Sequence, residues 1–390
     1  MEHWNEAKIK DFAEVKGGKR LPKGKQLIKE PNSHPYIRIR DLGKTKYLQL
    51  NSEYEYVDDE TQQSIARYIV NKGDILISVV GTIGLIGIVG ETLDKANQTE
   101  NCDKIINIKN VLPEYLYYYL ISSFGQDEIR KGTVGAVQPK LPLKNVQDIT
   151  IFYPSIDEQE RIVNILSSVD EKIETNNAIN NNLEQQAQTI YQQMFIDNAR
   201  SDWAEGTLSD IADITMGQSP SGSSYNEDGT GTIFFQGRAE FGFRFPSVRL
   251  YTTEPKRMAQ SNDTLMSVRA PVGDLNVAHM DCCIGRGLAA IHSKSHHQSF
   301  VLYTMFSLKK QLDVFNGEGT VFGSINRNSL NDMPILIPSD DILDEFERIV
   351  APMDLTIRNN YDENCRLQDI RDTLLPRLMS GELDVSDIDI

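Results

Sequence analysis

From Ile162 onward the apolar and small residues keep one rhythm: Ile162, Leu166, Val169, Ile173, Asn176, Asn180, Leu183, Ala187, Ile190 and Met194. The spacing alternates four and three without a slip. That is a heptad seam sustained over several repeats, and it predicts a long helix packed along one stripe against a second helix. A second series keeps the same spacing at Met353, Ile357, Asn360, Asn364, Leu367, Arg371, Leu374 and Leu378. Asn176 and Asn180 fall at the layers of Asn360 and Asn364, and polar residues at equivalent seam layers fix register and orientation. A helix from about 157 to 197 would be roughly 60 Å long at ~1.5 Å per residue. The second is expected to start near Pro338, to bend at Pro352 and to end before Gly381. Within one chain the simplest packing is antiparallel.

The remaining segments have a different texture. Short β-rich runs such as ILISVV (75–80) and TLMSV (264–268) alternate with clusters of Gly, Pro, Asn and Ser, and helical stretches fall near 113–124 and 297–312. This reads as α+β with a twisted or barrel-like sheet. These segments are also copies of one another. WNEAKIKDFAEV (4–15) aligns with WAEGTLSDIADI (203–214), and GDILISVVGTIG (73–84) with NDTLMSVRAPVG (262–273). LYYYLIS (116–122) echoes VLYTMFS (301–307), Gly132-Thr133-Val134 recurs as Gly319-Thr320-Val321, and QERIV (159–163) recurs as FERIV (346–350). The order is kept and the offset drifts only between 184 and 199, so the chain is a tandem repeat. The expected organisation is a mixed domain over 1–154, a helix over 155–202, a second mixed domain over 203–338, and a second helix with its tail over 339–390. Antiparallel helices would place the mixed domains at opposite ends about a pseudo-two-fold axis.

Charge sharpens this division. The net charge of −16 argues at first against nucleic acid, but it is unevenly spread. Residues 1–154 hold 21 basic against 20 acidic side chains and residues 203–338 hold 11 against 13, whereas 155–202 hold 3 against 9 and 339–390 hold 5 against 14. The acidity therefore belongs to the helices, and basic patches remain available in the mixed domains. The start of the chain lacks the apolar core of a secretory signal, and the longest apolar run, 83–90, is too short to cross a bilayer. Four cysteines at irregular spacing are read as free thiols in a reducing cytoplasm.

Several motifs then resemble a known family. PSIDEQERIVNILSSVDEKIE (154–174), the ending RDTLLPRLMSGEL (371–383), GGKRLPKGK (17–25) with PYIRIRDL (35–42), and MGQSPSGSSYNEDG (216–229) with FFQGRAEF (234–241) resemble the specificity subunits of Type I restriction-modification enzymes. The resemblance covers nearly the whole chain. It implies that each mixed domain is a target recognition domain reading one half of a bipartite, asymmetric site on double-stranded DNA. The helices would then be a spacer and the docking surface for methyltransferase subunits, which nuclease/translocase subunits join. It also implies a non-catalytic subunit without cofactor, S-adenosylmethionine, ATP and magnesium being expected on the partners.

The residues agree with an inert chain. No Asn/Asp-Pro-Pro-aromatic methyltransferase motif occurs, and FNGEG (315–319), GKT (43–45) and EPK (254–256) only imitate catalytic loops. His279, Cys282, Cys283, His292, His296 and His297 have no counterpart in the first copy, and no metal site is assigned. Candidate DNA contacts in the first copy are Lys19, Arg20 and Lys23 in a loop opened by Gly17-Gly18, Arg38 and Arg40 alternating along an expected strand, and Gln138. The surrounding stretch 16–46 is rich in further cations, Lys46 among them. In the second copy the candidates are Gln218, Ser219, Gln236, Arg238, Arg269, Asn326 and Arg327. Arginine suits guanine and glutamine suits adenine in the major groove, while lysine mainly holds phosphate. The alternative reading is a repeat-built adaptor or orphan regulator without sequence-specific DNA binding.

Overall fold

The structure, a computed structural model, describes residues 4–317 and 323–385; the repeated Gly319-Thr320-Val321 lies outside them. Contacts divide the chain into a first unit, Met1–Glu174 with Cys365–Ile390, and a second unit, Thr175–Asn364.

Each unit begins by closing on itself. In the first, Asn5–Lys8 pairs antiparallel with Thr150–Tyr153. In the second, Ala204–Thr207 pairs antiparallel with Pro334–Ile337. Asn5 faces Tyr153 and Ala204 faces Ile337, so the two limits of the sequence offset, 199 and 184, mark the two strands of one repeated clasp.

The sheets repeat as well. The first unit orders Glu14–Gly17, Cys102–Ile106, Ile75–Ser78, Ile86–Val89 and Tyr47–Leu48 in one sheet. The second orders Ala212–Met216, Leu288–Ser293, Thr264–Ser267 and Leu275–Val277 in the same sequence of connections. Ile75–Ser78 and Thr264–Ser267 are buried at every position, as expected of central strands covered on both faces. A second sheet accompanies each, of three strands built on Pro35–Ile37 in the first unit and of five built on Thr232–Phe235 in the second. Arg38 and Arg40 do not continue that first strand. It stops at Ile37, and Ile39–Asp41 is a 3-10 turn capped by Arg38, because the Asp41 carboxylate accepts from the Arg38 amide at 2.7 Å.

The apolar helix Pro113–Ile121 covers one large sheet and Gln298–Ser307 the other. Both carry a buried tyrosine that reaches a long helix: the Tyr118 hydroxyl donates to Asp170 at 2.6 Å, and Tyr303 to Asp354 at 2.8 Å. A buried cation braces each tyrosine. Lys46 Nζ donates to Ser167 at 2.8 Å and lies 3.4 Å from the Tyr118 hydroxyl. Arg244, 4% exposed, bonds Tyr303, Glu184 and Asp354. Lys46 is therefore withdrawn from the basic surface that the sequence allotted to it.

The first long helix spans Ile156–Tyr191 and widens into a π turn over Gln192–Asp197; the second spans Asp340–Met379 and runs unbroken through Pro352. Within the first unit Ile162 and Leu166 share a core with Leu375, Leu378 and Met379, and Arg371 reaches Asp170 at 3.3 Å. Within the second, Asn180 accepts from Asn360 at 2.8 Å, and Asn176 donates to Asn364 at 2.9 Å. In both, rising numbers on one helix meet falling numbers on the other, the antiparallel arrangement. Ile162, Leu166, Ile173, Asn176, Asn180, Ile357 and Asn364 are buried, while Val169, Leu183, Met353, Asn360 and Leu367 are half-buried along the same stripe. Beyond Ala187 the stripe shifts to Tyr191 and Phe195, which pack on Phe300 and Phe346, and Ile190 and Met194 move to its margin. Leu183, Ala187, Tyr191 and Phe195 follow at three successive spacings of four, a break in the heptad that turns the helix face towards the aromatic cluster.

Candidate nucleic-acid interface

Backbone hydrogen bonds build one edge of each unit. In the first, the Gly18 amide donates to Cys102 O at 3.1 Å, Thr99 N to Ile37 O at 3.1 Å, and Val79 N to Asn101 O at 2.8 Å. In the second, Gly217 N donates to Leu288 O at 2.9 Å, Gly285 N to Phe235 O at 2.8 Å, and Val268 N to Gly287 O at 2.9 Å. These are the same three bonds. They bring a loop, a turn and a strand end together so closely that only glycine fits the loop. A Cβ on Gly18 would stand 2.0 Å from Thr99 O, and one on Gly217 2.2 Å from Gly285 O.

The equivalence fixes which side chains face outward at matching places. Lys19 matches Gln218, Arg20 matches Ser219, Glu100 matches Arg286, Val80 matches Arg269, and Lys140 matches Ser324. Val80 bridges Lys140 as Arg269 bridges Ser324. A cavity of about 320 Å³ in the second unit is lined by Met216, Arg269, Arg286 and Ser324 among others. At these positions the first unit carries three cations and one carboxylate, the second two arginines among uncharged polar side chains.

Of the sequence candidates, Lys19, Arg20, Gln218, Ser219 and Arg269 meet at these edges. Gln236 joins them, since its backbone packs against Gly285 and Gly287. Gln138 is exposed in the turn that the Val134–Lys140 bridge closes, and Lys23 is exposed in the loop beyond Arg20. Arg327 is exposed on the short helix Arg327–Asn331. Others have different work. Arg38 and Arg40 both lie against Glu55, Arg38 at 2.5 Å, and Arg40 also donates to Glu53 O at 2.8 Å. Arg238 is bound to Asp274, which Lys309 also reaches at 3.3 Å, beside a separate cavity of about 590 Å³. Asn326 caps Arg327–Asn331 by accepting from Ser329 N at 2.9 Å. Sequence reasoning missed Glu100, Lys140 and Arg286. The Gly285-Arg286-Gly287 triplet was the available signal, an arginine on a turn whose flanking glycines admit close approach.

One ion pair orders the first edge. Arg20 Nε donates to Glu100 at 2.8 Å, and Thr99 Oγ1 to its other oxygen at 3.2 Å. Burial works to raise the Glu100 carboxyl, but Arg20, the backbone and Thr99 outweigh it and hold it below the usual carboxylate range.

The histidines and cysteines do not form one site. His279 meets Asp362 at 2.6 Å and His292 meets Asp263 at 2.6 Å, while Cys282 and Cys283 are buried in a strand. His296 and His297 converge on Asp344, with ligand atoms within 4.8 Å, and tie their loop to the second long helix. At Gly43, Lys44 and Thr45 no helix follows, so a phosphate-binding loop is not formed. Among the described residues no helix is long and apolar enough to cross a membrane.

One frame used twice, carrying a different polar edge each time, defines a two-part recognition protein. The family model for the Type I restriction modification DNA specificity domain matches residues 1–185 and again 200–361, and the chain belongs to that family. It is 29% identical to a Methanocaldococcus jannaschii chain assigned as the type I restriction enzyme MjaX specificity subunit, over 98% of this chain and 94% of the relative. It is 26% identical to the MjaIX specificity subunit of the same organism, over 99% and 94%. The crystal structure of a Type I restriction-modification system S subunit from M. genitalium shares the fold, with a TM-score of 0.59 at 16% identity over 96% of each chain.

Proposed function

We infer that this chain is the DNA-recognition subunit of a Type I restriction-modification system. It reads a bipartite, asymmetric site on double-stranded DNA and directs methyltransferase and nuclease subunits to it. The observation that carries this reading is the double family match, each half falling on one copy of a frame whose outward side chains differ. Identical frames present their readers in the same geometry, and different readers give the two halves of the target different sequences. The chain itself performs no chemistry. S-adenosylmethionine, ATP and magnesium belong to the partner subunits, and the assembly works in the cytoplasm.

The side chains offered to DNA, for phosphate or for base, are Lys19, Arg20, Lys23 and Gln138 in the first unit and Gln218, Ser219, Gln236, Arg269 and Arg327 in the second. Arg38, Arg40 and Arg238 are engaged by carboxylates and Asn326 caps a helix, so they are not among these side chains. The helices carry most of the net negative charge, so the isolated chain binds DNA weakly and gains affinity when methyltransferase covers them. The test is a genome-wide map of methylated adenines with and without the gene. Loss of one gapped, two-part motif is expected. An unchanged map, with methyltransferase present and the chain expressed, would favour the protein-binding adaptor instead.

A further inference from the structure

The loop–turn junction carries one more message when the two units are compared position by position. At the loop position stand Arg20 and Ser219; at the turn position stand Glu100 and Arg286. Each junction therefore holds one arginine, contributed from opposite sides. In the first unit the arginine comes from the loop and the turn supplies its carboxylate partner. In the second it comes from the turn, and the loop supplies only a hydroxyl, Ser219 Oγ, which accepts from the Arg286 amide at 3.3 Å.

We propose that each junction is a guanine-reading site, with Arg20 reading one half of the target and Arg286 the other. This rests on the recognition function above and names its chemistry. Glu100 binds Arg20 through Nε, which restrains the exposed guanidinium and leaves both terminal nitrogens as a fork without a protein partner among the described residues. That fork matches guanine O6 and N7. A phosphate is the poorer partner at this place, because Glu100 would face it with like charge, whereas a base edge is neutral. Arg286 makes no ion pair among the described residues, is exposed, and stands between two glycines that let a base edge approach. Its neighbour Arg269 opens on the same cavity and is placed to hold the adjoining phosphate. Glu100 is a positioning residue, since it acts through Arg20.

The experiment uses the chain assembled with its methyltransferase subunit and a pool of randomised duplex DNA, sequencing what is bound and what is methylated. The wild-type complex is expected to select a gapped two-part motif with a guanine in each half. R286A should lower the preference for guanine at one position of one half by about ten- to a hundredfold and leave the other half intact. R286K should keep affinity and lose that preference, because an ammonium cannot form the fork. R20A should do the same in the other half, and E100Q should follow R20A while E100D retains the preference. Each variant changes an exposed or half-exposed side chain, and unaltered assembly with methyltransferase is the control for folding. A wild-type motif that R286A leaves unchanged, with only a shallower salt dependence, would make Arg286 a phosphate contact and overturn the proposal. A wild-type complex that selects no motif would instead overturn the recognition function itself.

Discussion

Replacing Arg244 by methionine tests how the second unit is fastened to its helices. The guanidinium is 4% exposed and lies 3.0 Å from Glu184, 3.2 Å from Asp354 and 3.1 Å from the Tyr303 hydroxyl. At an effective dielectric near 20, each of the two ion pairs is worth about 5 kcal/mol before desolvation. Burying three charged groups costs several kcal/mol each, so the intact cluster is close to balanced. Its removal from one side is not balanced, because two half-buried carboxylates then face each other without a cation. The expected loss is about 3–5 kcal/mol, a large share of the ~5–15 kcal/mol that holds a domain together. The pH dependence carries a sign. Burial already raises Glu184 above its ordinary value, with Arg244 pulling it back. Without Arg244 the folded-state value rises further, so the folded protein binds a proton more tightly than the unfolded chain. The deficit of R244M should then be largest near pH 8 and shrink as the pH falls through the raised value towards the unfolded one near ~4.3. Urea unfolding followed by Trp203, which is buried in the second unit, isolates that unit in a W4F background. Adding E184Q and D354N to R244M should recover most of the loss. A deficit below about 1 kcal/mol, or one that grows in acid, would refute the reasoning.

Three further outcomes are expected. N360L alone strands Asn180 in the seam and should cost about 1–3 kcal/mol, whereas the N180L/N360L pair should raise the melting temperature and loosen register, read from disulfide trapping at neighbouring layers. Replacing Lys19 and Lys23 together by alanine should weaken binding to every duplex and reduce the slope of log K against log salt by roughly 0.9 for each phosphate these side chains neutralise; an unchanged slope would remove these two lysines from the interface. Burial pushes the Asp103 carboxyl up to about 6. A raised acid stabilises least where it is ionised, so D103N should be more stable than wild type above about pH 6, by about 3 kcal/mol at most, with the gain fading towards pH 4 in denaturant titrations.

The repeat and the seam were readable because both are periodic. A heptad at Ile162, Leu166, Ile173 and Asn176 needs no tertiary knowledge, and an offset of 199 at Trp4 and Trp203 reappears as strand register at Asn5 and Ala204. Ile190 and Met194 do pack on the core, but local spacing is silent on Tyr191 and Phe195, which take the buried places because they answer to an aromatic cluster elsewhere in the chain. The candidate site was less legible for a related reason. Charge is visible in a sequence, but its partner is not: Glu55 claims Arg38, Asp274 claims Arg238, and burial against Tyr118 claims Lys46. Arg286 was hidden in the opposite way, as a lone cation in a region without a basic run, and only the turn equivalent to Thr99–Asn101 gives it a role.

The junction at Gly18 and Gly217 is closed by main-chain amides and carbonyls, to which the exposed Arg20–Glu100 pair and the Ser219 hydroxyl add only one side-chain bond each. Exchange of such exposed side chains usually alters stability by no more than about 0.5 kcal/mol. If the junctions read guanine as proposed, single substitutions at Arg20, Glu100, Ser219 or Arg286 retune what one unit selects, at little cost to folding and with the other unit still on its old target. In the proposed assembly any such change alters the protective and the destructive subunits together, since both would take their address from the same protein. New targets can thus arise without a generation in which the cell cuts its own chromosome for want of a matching mark.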